Sequence, residues 1–403
     1  MRALLIKIIK ACLWLYCGLA FFDPADSILG AKLPVFAAAV LLALGLNRFQ
    51  TPDLPKELRY RLLFLTLLIP AAGLLVFLIR HPGGDLRPGL SLVKGLWASL
   101  LILPAAAAGA DLKKPVFLCL GIMAAVIVGL RYCAGWAPAL FREISLFLNM
   151  QGVALIGSRS FGEIELPMIF FVTIPLAVLA VPFLVNRIFG AGAGRGKRFW
   201  AAGYLGLLLL AVYFSAARAL SLVLLLECLA CFLYVIRRRV LLATGTLVLA
   251  AALFLAGLTA LLQTQLLSAG EQSNSIKIAH FQSFLELVND DPVLLLTGDG
   301  LGAVYHSRAP GVNQEVYQTE LTYVDMVRYF GLAGSLLLLM LLFLPLSGPG
   351  DKGLLAIGLG SYFVVAGNNP LLFNSTGMLA IVFFWSQQTG PVKEPAAGGR
   401  LRP

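Results

Sequence analysis

The sequence predicts an all-α polytopic membrane protein of about twelve transmembrane helices with one large outward-facing loop. Three observations lead there. Of 403 residues, 59% are hydrophobic and 13% charged, with mean hydropathy +0.88. A chain this oily does not fold around one soluble core, and each membrane span needs roughly 20 apolar residues. Apolar runs recur near 8–22, 33–46, 62–79, 89–108, 115–131, 166–186, 199–215, 219–236, 240–262, 322–346, 354–368 and 371–387. Finally, the basic residues fall on every second connection.

The basic residues orient the spans, since Lys and Arg collect on the cytoplasmic side. Arg2, Lys7 and Lys10 precede the first run. Then come Arg48/Lys56/Arg59/Arg61, Lys113/Lys114, Arg187/Arg195/Lys197/Arg198, Arg237–Arg239, Lys352 and Lys393/Arg400/Arg402. These segments hold 20 of the 31 Lys and Arg residues. Both termini are therefore expected in the cytoplasm. The organisation that follows is a bundle of about nine spans (1–262), a large outer loop (263–321), further spans (322–388) and a cytoplasmic tail (389–403). No cleavable leader is expected, because the first run lacks a small-residue cleavage site.

The net charge of +11 does not indicate nucleic acid, because its bases are spread over these topogenic anchors. GAGAGRGKR (190–198) resembles a phosphate loop but lacks the Gly-Lys-Ser/Thr ending and a preceding strand, so it reads as a linker. The six cysteines lie in or beside apolar runs, and Cys228-x-x-Cys231 has no second pair, so they read as small packing residues. Within 136–165, Trp136, Leu140, Ile144, Phe147 and Leu148 recur at helical spacing opposite Arg142, Glu143, Asn149 and Gln151. This segment is expected to lie in the outer interface. If it spanned instead, Arg237–Arg239 would face outward.

The outer face then receives Arg131, Arg142 and Arg159, Arg218 at the mouth between two spans, and Lys277 and Arg308 in the long loop. Between Gln263 and Leu321 there are seven acids against these two bases. Arg218 either snorkels to the interface or faces the bundle and binds phosphate with its planar fork. Glu227, nine residues on, lies roughly 13 Å deeper at helical rise and is either functional or hydrogen-bonded to a neighbouring helix. NDDPVLLLTGDGLG (289–302) combines a helix stop with a glycine turn, and Asp290, Asp291 and Asp299 read as solvated acids. His280 and His306 are too few and isolated for a zinc site. In TELTYVDMVRYFGLAG (319–334), Thr319 and Glu320 suit a helix cap and first turn, while Asp325 and Arg328 are spaced to pair.

The order of these motifs resembles the bacterial O-antigen ligase and repeat-unit polymerase family of integral membrane glycosyltransferases. SAARALSL (215–222) looks like the family's Ser-Arg-Gly/Ser motif, with Arg218 on its arginine. IKIAHFQSFLELVNDDPVLLLTGDGLG resembles its basic helix, His-Pro and Gly-x-Gly-x-Gly succession. TELTYVDMVRYFGLAG resembles its His-Asn-x-Tyr-Leu segment followed by Gly-Leu-Leu-Gly. Lys277 stands where ligases carry a second arginine, Asp291-Pro292 replaces His-Pro, and Glu320 takes the place of the ligase histidine. These departures favour the polymerases, as does NNPLLFNSTG before the last span.

The resemblance implies a GT-C-like architecture in the bacterial inner membrane, with a periplasmic active site and undecaprenyl-diphosphate-linked oligosaccharides as substrates. It implies membrane lipids and a chain-length regulator as partners, with no cofactor, metal or nucleic acid. Arg218, assisted by Arg159 and Lys277, would hold the diphosphate, and Glu320 would be the base, with Arg218 beside it in catalysis. Arg142, His306, Arg308, Asp325 and Arg328 are secondary candidates. The competing readings are a ligase, a secondary transporter coupled through Glu227 and the Asp325/Arg328 pair, and a non-catalytic assembly protein.

Overall fold

The computed structural model describes residues 1–47, 54–161, 164–190, 192, 194–237, 272–309, 312–344 and 352–389, and it is mostly helical. In order, the helices are α1 (Arg2–Phe22), α2 (Lys32–Leu46), α3 (Lys56–Arg80), α4 (Arg87–Ala107), α5 (Lys113–Trp136) and α6 (Pro138–Met150). There follow α7 (Ile174–Phe189), α8 (Arg195–Phe214), α9 (Arg218–Ile236), α10 (Gln272–Asp290), α11 (Thr322–Phe343), α12 (Lys352–Gly367) and α13 (Ser375–Thr389). Six of them (α1, α3, α4, α5, α9 and α11) are long and apolar enough to cross a membrane, and α2, α7 and α12 are shorter apolar helices. The expected span at 240–262 and the tail lie outside the described residues.

Two antiparallel hairpins depart from the all-α expectation. β1 (Ala154–Phe161) pairs with β2 (Ile164–Phe171), and β3 (Tyr305–Ala309) with β4 (Val312–Val316). The apolar run at 166–186 is therefore not one continuous helix. It begins as β2, passes through a 3-10 turn at Ile174–Leu179 and only then becomes α-helical. Pro167, Pro175 and Pro182 explain this, since each removes a backbone donor and crowds the preceding turn. Ile174 and Leu176–Val181 are nonetheless wholly buried. The other buried centre is α13, where Met378–Trp385 are all inaccessible or nearly so. A helix apolar on every side belongs inside a bundle.

Connections expected on the same side of the membrane do meet. At one end Ser27 Oγ donates to Gln151 O (2.7 Å), Thr173 Oγ1 to Phe21 O (3.0 Å), and Thr322 Oγ1 to Asn369 O (2.7 Å). At the other, Arg61 donates to Leu344 O (2.6 Å) and Lys113 lies 4.5 Å from the Phe183 ring centroid. The α6 helix sits at the first end and leaves Leu140, Leu146, Phe147 and Met150 exposed, beside the exposed Trp136 that ends α5. Phe141, Ile144 and Leu148 pack inward. Apolar exposure of this kind suits a helix lying in an interface.

Candidate functional site

The outer layer is held to the bundle by the GDGLG turn and the start of α11. Gly298, Gly300 and Gly302 all have positive φ, at 73°, 93° and 88°. A Cβ at Gly298 would lie 2.4 Å from Tyr329 O, at Gly300 2.3 Å from Phe77 Cα, and at Gly302 2.2 Å from Gly89 N. The turn is thus threaded between α3, α4 and α11, where only glycine allows the backbones to approach. Leu301 N donates to Gly73 O (2.9 Å), and Asp299 N to Arg328 O (2.6 Å). The latter bond comes from the break in α11 at Gly331, which has φ +67°.

Beside this turn, Asp325 and Arg328 pair at 3.1 Å with both side chains 1% exposed. Asp325 also accepts from Thr319 N (2.6 Å) and Thr319 Oγ1 (3.0 Å). Arg328 donates to Ala303 O and Tyr317 O and lies against the Tyr305 and Tyr329 rings. Every one of these partners is part of the fold itself. The pair expected from spacing is therefore a clasp between α11, the glycine turn and the hairpin end, which leaves it little capacity for a coupling role.

Above the clasp, Lys277 on α10 meets Glu320 at 3.4 Å, with side chains 27% and 56% exposed. The two ends of the long loop, assigned to a donor phosphate and an acceptor hydroxyl, thus come together as an ion pair. One turn from Lys277, His280 is buried with its Nδ1 2.8 Å from Ser307 Oγ. Burial holds its pKa below the usual imidazole value, with Asp325 and Glu320 opposing that shift. His306 and Arg308 face outward on β3, and Arg308 pairs with Glu286 at 3.0 Å. Both partners of that pair are more than half exposed, so it contributes at most about 1 kcal/mol.

The sign of the His280 shift gives a test. The neutral ring favours the folded loop fully above an unfolded-state pKa of about 6.5, and this stability is lost as pH falls through the lower folded value. Hydrogen-exchange protection factors across Tyr305–Ala309, taken relative to the intrinsic exchange rate at each pH, should therefore fall between pH 7.5 and 5, and His280→Gln should flatten that dependence. Protection that does not change with pH would contradict the assignment.

Arg218 is half-buried at the first position of α9. Ala216, just before it, has φ +50°, a left-handed conformation that a non-glycine residue rarely adopts and that tends to occur at functional sites. The Arg131 guanidinium lies 5.9 Å from the Phe214 ring centroid in the same region. A helix N-terminus followed by a guanidinium is a good setting for an anion. Both α9 and α11 pack against α12.

Arg159 lies on β1, opposite Leu166 in the register. Arg142 is exposed on α6. Glu227 is buried in the middle of α9, beside Ser361 of α12. Residues not anticipated from the sequence are Arg80 and His81, at the end of α3. Arg80 lies 2.6 Å from Asp291 and donates to Thr297 Oγ1 (2.9 Å), while His81 Nε2 is 2.8 Å from Asp299. The loop acids expected to be solvated are thus met by side chains more than 200 positions away. Their only sequence signal was the basic pair closing an apolar run. Among the described residues, no cluster of three or more His, Cys, Asp and Glu side chains is placed to hold a metal ion.

Comparison with known proteins finds no matching family model, curated protein or solved structure. Length and composition make the chain a helical membrane protein.

Proposed function

We propose that the chain is a membrane polysaccharide polymerase joining undecaprenyl-diphosphate-linked oligosaccharide repeat units on the periplasmic face of a bacterial inner membrane. In this reading it has about twelve spans in a GT-C-like arrangement, with both termini cytoplasmic. The observation that most supports it is the meeting of Lys277 and Glu320 at 3.4 Å above a bundle end that also carries Arg218. Cation and carboxylate from opposite ends of a polar loop form a place where an anionic leaving group and a hydroxyl can both be handled.

In the reaction, an acceptor hydroxyl oxygen attacks the anomeric carbon of the donor as its bond to the lipid diphosphate breaks. Arg218 and Arg159 hold the departing diphosphate, so that its charge develops against fixed cations. Lys277 turns from Glu320 to this phosphate, which leaves the Glu320 carboxylate to accept the hydroxyl proton. In the resting state Glu320 is exposed and paired with the Lys277 cation. The exchange of Lys277 between partners removes that cation when the donor is in place.

Glycan profiles test the reading. Loss of the gene should leave single capped repeats where the parent shows a ladder, and Arg218→Ala should abolish extension while the protein stays in the membrane. Long chains stranded on the carrier lipid would indicate a ligase instead, and repeats trapped inside a transporter. An unchanged profile would remove the proposal.

A further inference from the structure

A cavity of about 250 Å³ lies between α3 and α11, lined by Leu68, Ala72, Val76, Phe330 and Leu337, with Thr297 at its outer mouth. Both walls depart from regular helix beside it. The α3 helix contains a π-helical turn at Phe64–Leu68, a feature frequent at functional sites, and α11 is broken at Gly331. Leu68 (43%) and Leu337 (40%) are exposed on the bundle's flank, so the cavity opens sideways. Its lining is mostly apolar, and its polar side chains are Tyr329 and Thr297, which accepts from Arg80.

We infer that this groove seats the isoprenoid chain of a lipid diphosphate, with the Arg80 guanidinium receiving the phosphate at its mouth. Resting on the polymerase reading, which requires two lipid-linked substrates, it is the acceptor's site, separate from the donor's at Arg218. Charge complementarity selects the occupant. Asp299 is held by His81 at 2.8 Å and is 3.8 Å from Arg80, so the close carboxylate on Arg80 is Asp291, at 2.6 Å and 40% exposed. A loop carboxylate near the surface is a displaceable partner, and a diphosphate carries more charge into the same fork. The groove leads to the α3/α11 end of the outer layer, and Glu320 immediately precedes α11. A lipid seated there presents its sugar on the Glu320 side of the molecule.

The test uses the full-length protein in phosphatidylglycerol nanodiscs and a photoactivatable polyprenyl diphosphate. Labelling should map to α3 and α11 and be competed by unlabelled polyprenyl diphosphate, not by added phosphatidylglycerol. Ala72→Trp, which fills the groove, should lower labelling at least tenfold, whereas Ala71→Trp, on the same helix but outside the lining, should not. Arg80→Gln should weaken competition by the diphosphate. Asp291→Asn should strengthen it about two- to fivefold, as removal of an exposed competing ion pair.

Labelling competed equally by phosphatidylglycerol would mean bulk membrane lipid only and would overturn the inference. So would polymerisation with an unaltered acceptor KM in Ala72→Trp. Saturable, Arg80-dependent labelling without polymerisation would uphold the groove and count against the polymerase reading alone.

Discussion

An Arg328→Ala variant is expected to lose about 3–5 kcal/mol of folding stability, the usual result of removing one partner from a buried ion pair. The loss is large because Arg328 is wholly buried and holds Asp325, Ala303 O and Tyr317 O at once. Replacing both charges by apolar residues often restores stability when the partners serve only each other. Here Asp325 also accepts from Thr319 N and Oγ1, so Asp325→Leu with Arg328→Met should remain almost as unstable as either single change. Heat-induced unfolding of the detergent-solubilised protein, followed by tryptophan fluorescence, measures this. A double variant as stable as the parent would show that the clasp does not organise the outer layer.

Gly300→Ala is the second change with a large expected effect. The added methyl would lie 2.3 Å from both Phe77 N and Phe77 Cα, on a residue with φ +93°. Left-handed strain of roughly 1–2 kcal/mol and overpacking of about 1–3 kcal/mol together give a loss of about 2–5 kcal/mol. The turn should then detach from α3 and carry the Arg80 and His81 contacts with it. Faster protease cleavage between Asp290 and Tyr305 would report that detachment. Unchanged cleavage would mean the turn is a surface loop and not a wedge between helices.

These two changes also mark what could be read in the sequence. Most of the apolar runs, the helical spacing of α6 and the Asp325/Arg328 pairing follow from short-range periodicity, and among the described residues the structure contains helices at most of those runs, α6 itself and the pair. GDGLG read as an ordinary turn, because nothing local reveals that three backbones press against it. The contacts of Arg80 and His81 are hidden for the same reason: their partners Asp291 and Asp299 are remote in sequence. The β3–β4 hairpin could have been found. Tyr305, His306, Ser307 and Arg308 alternate between buried and exposed, and Pro310-Gly311 follows as a turn signal. Strand β2 was hidden by hydrophobicity alone, although its proline and those after it already argued against a continuous span.

At the site, the family resemblance could name Lys277 and Glu320 but not their pairing, which depends on how α10 folds back over α11. That pairing changes the chemistry asked of Glu320. In the proposed reaction Lys277 leaves Glu320 for the donor phosphate, so donor binding and base activation become one event. Glu320→Gln should accordingly stop extension while leaving donor binding intact. Lys277→Ala should weaken donor binding instead.

The most direct measurement is made with the purified protein in nanodiscs and a lipid-diphosphate-linked repeat unit as sole substrate. A polymerase produces a ladder of lengthened glycans and releases one lipid diphosphate for each bond formed, and Arg218→Ala abolishes both. A folded protein that leaves the repeat unit unextended, or that extends it equally well without Arg218, would contradict the account.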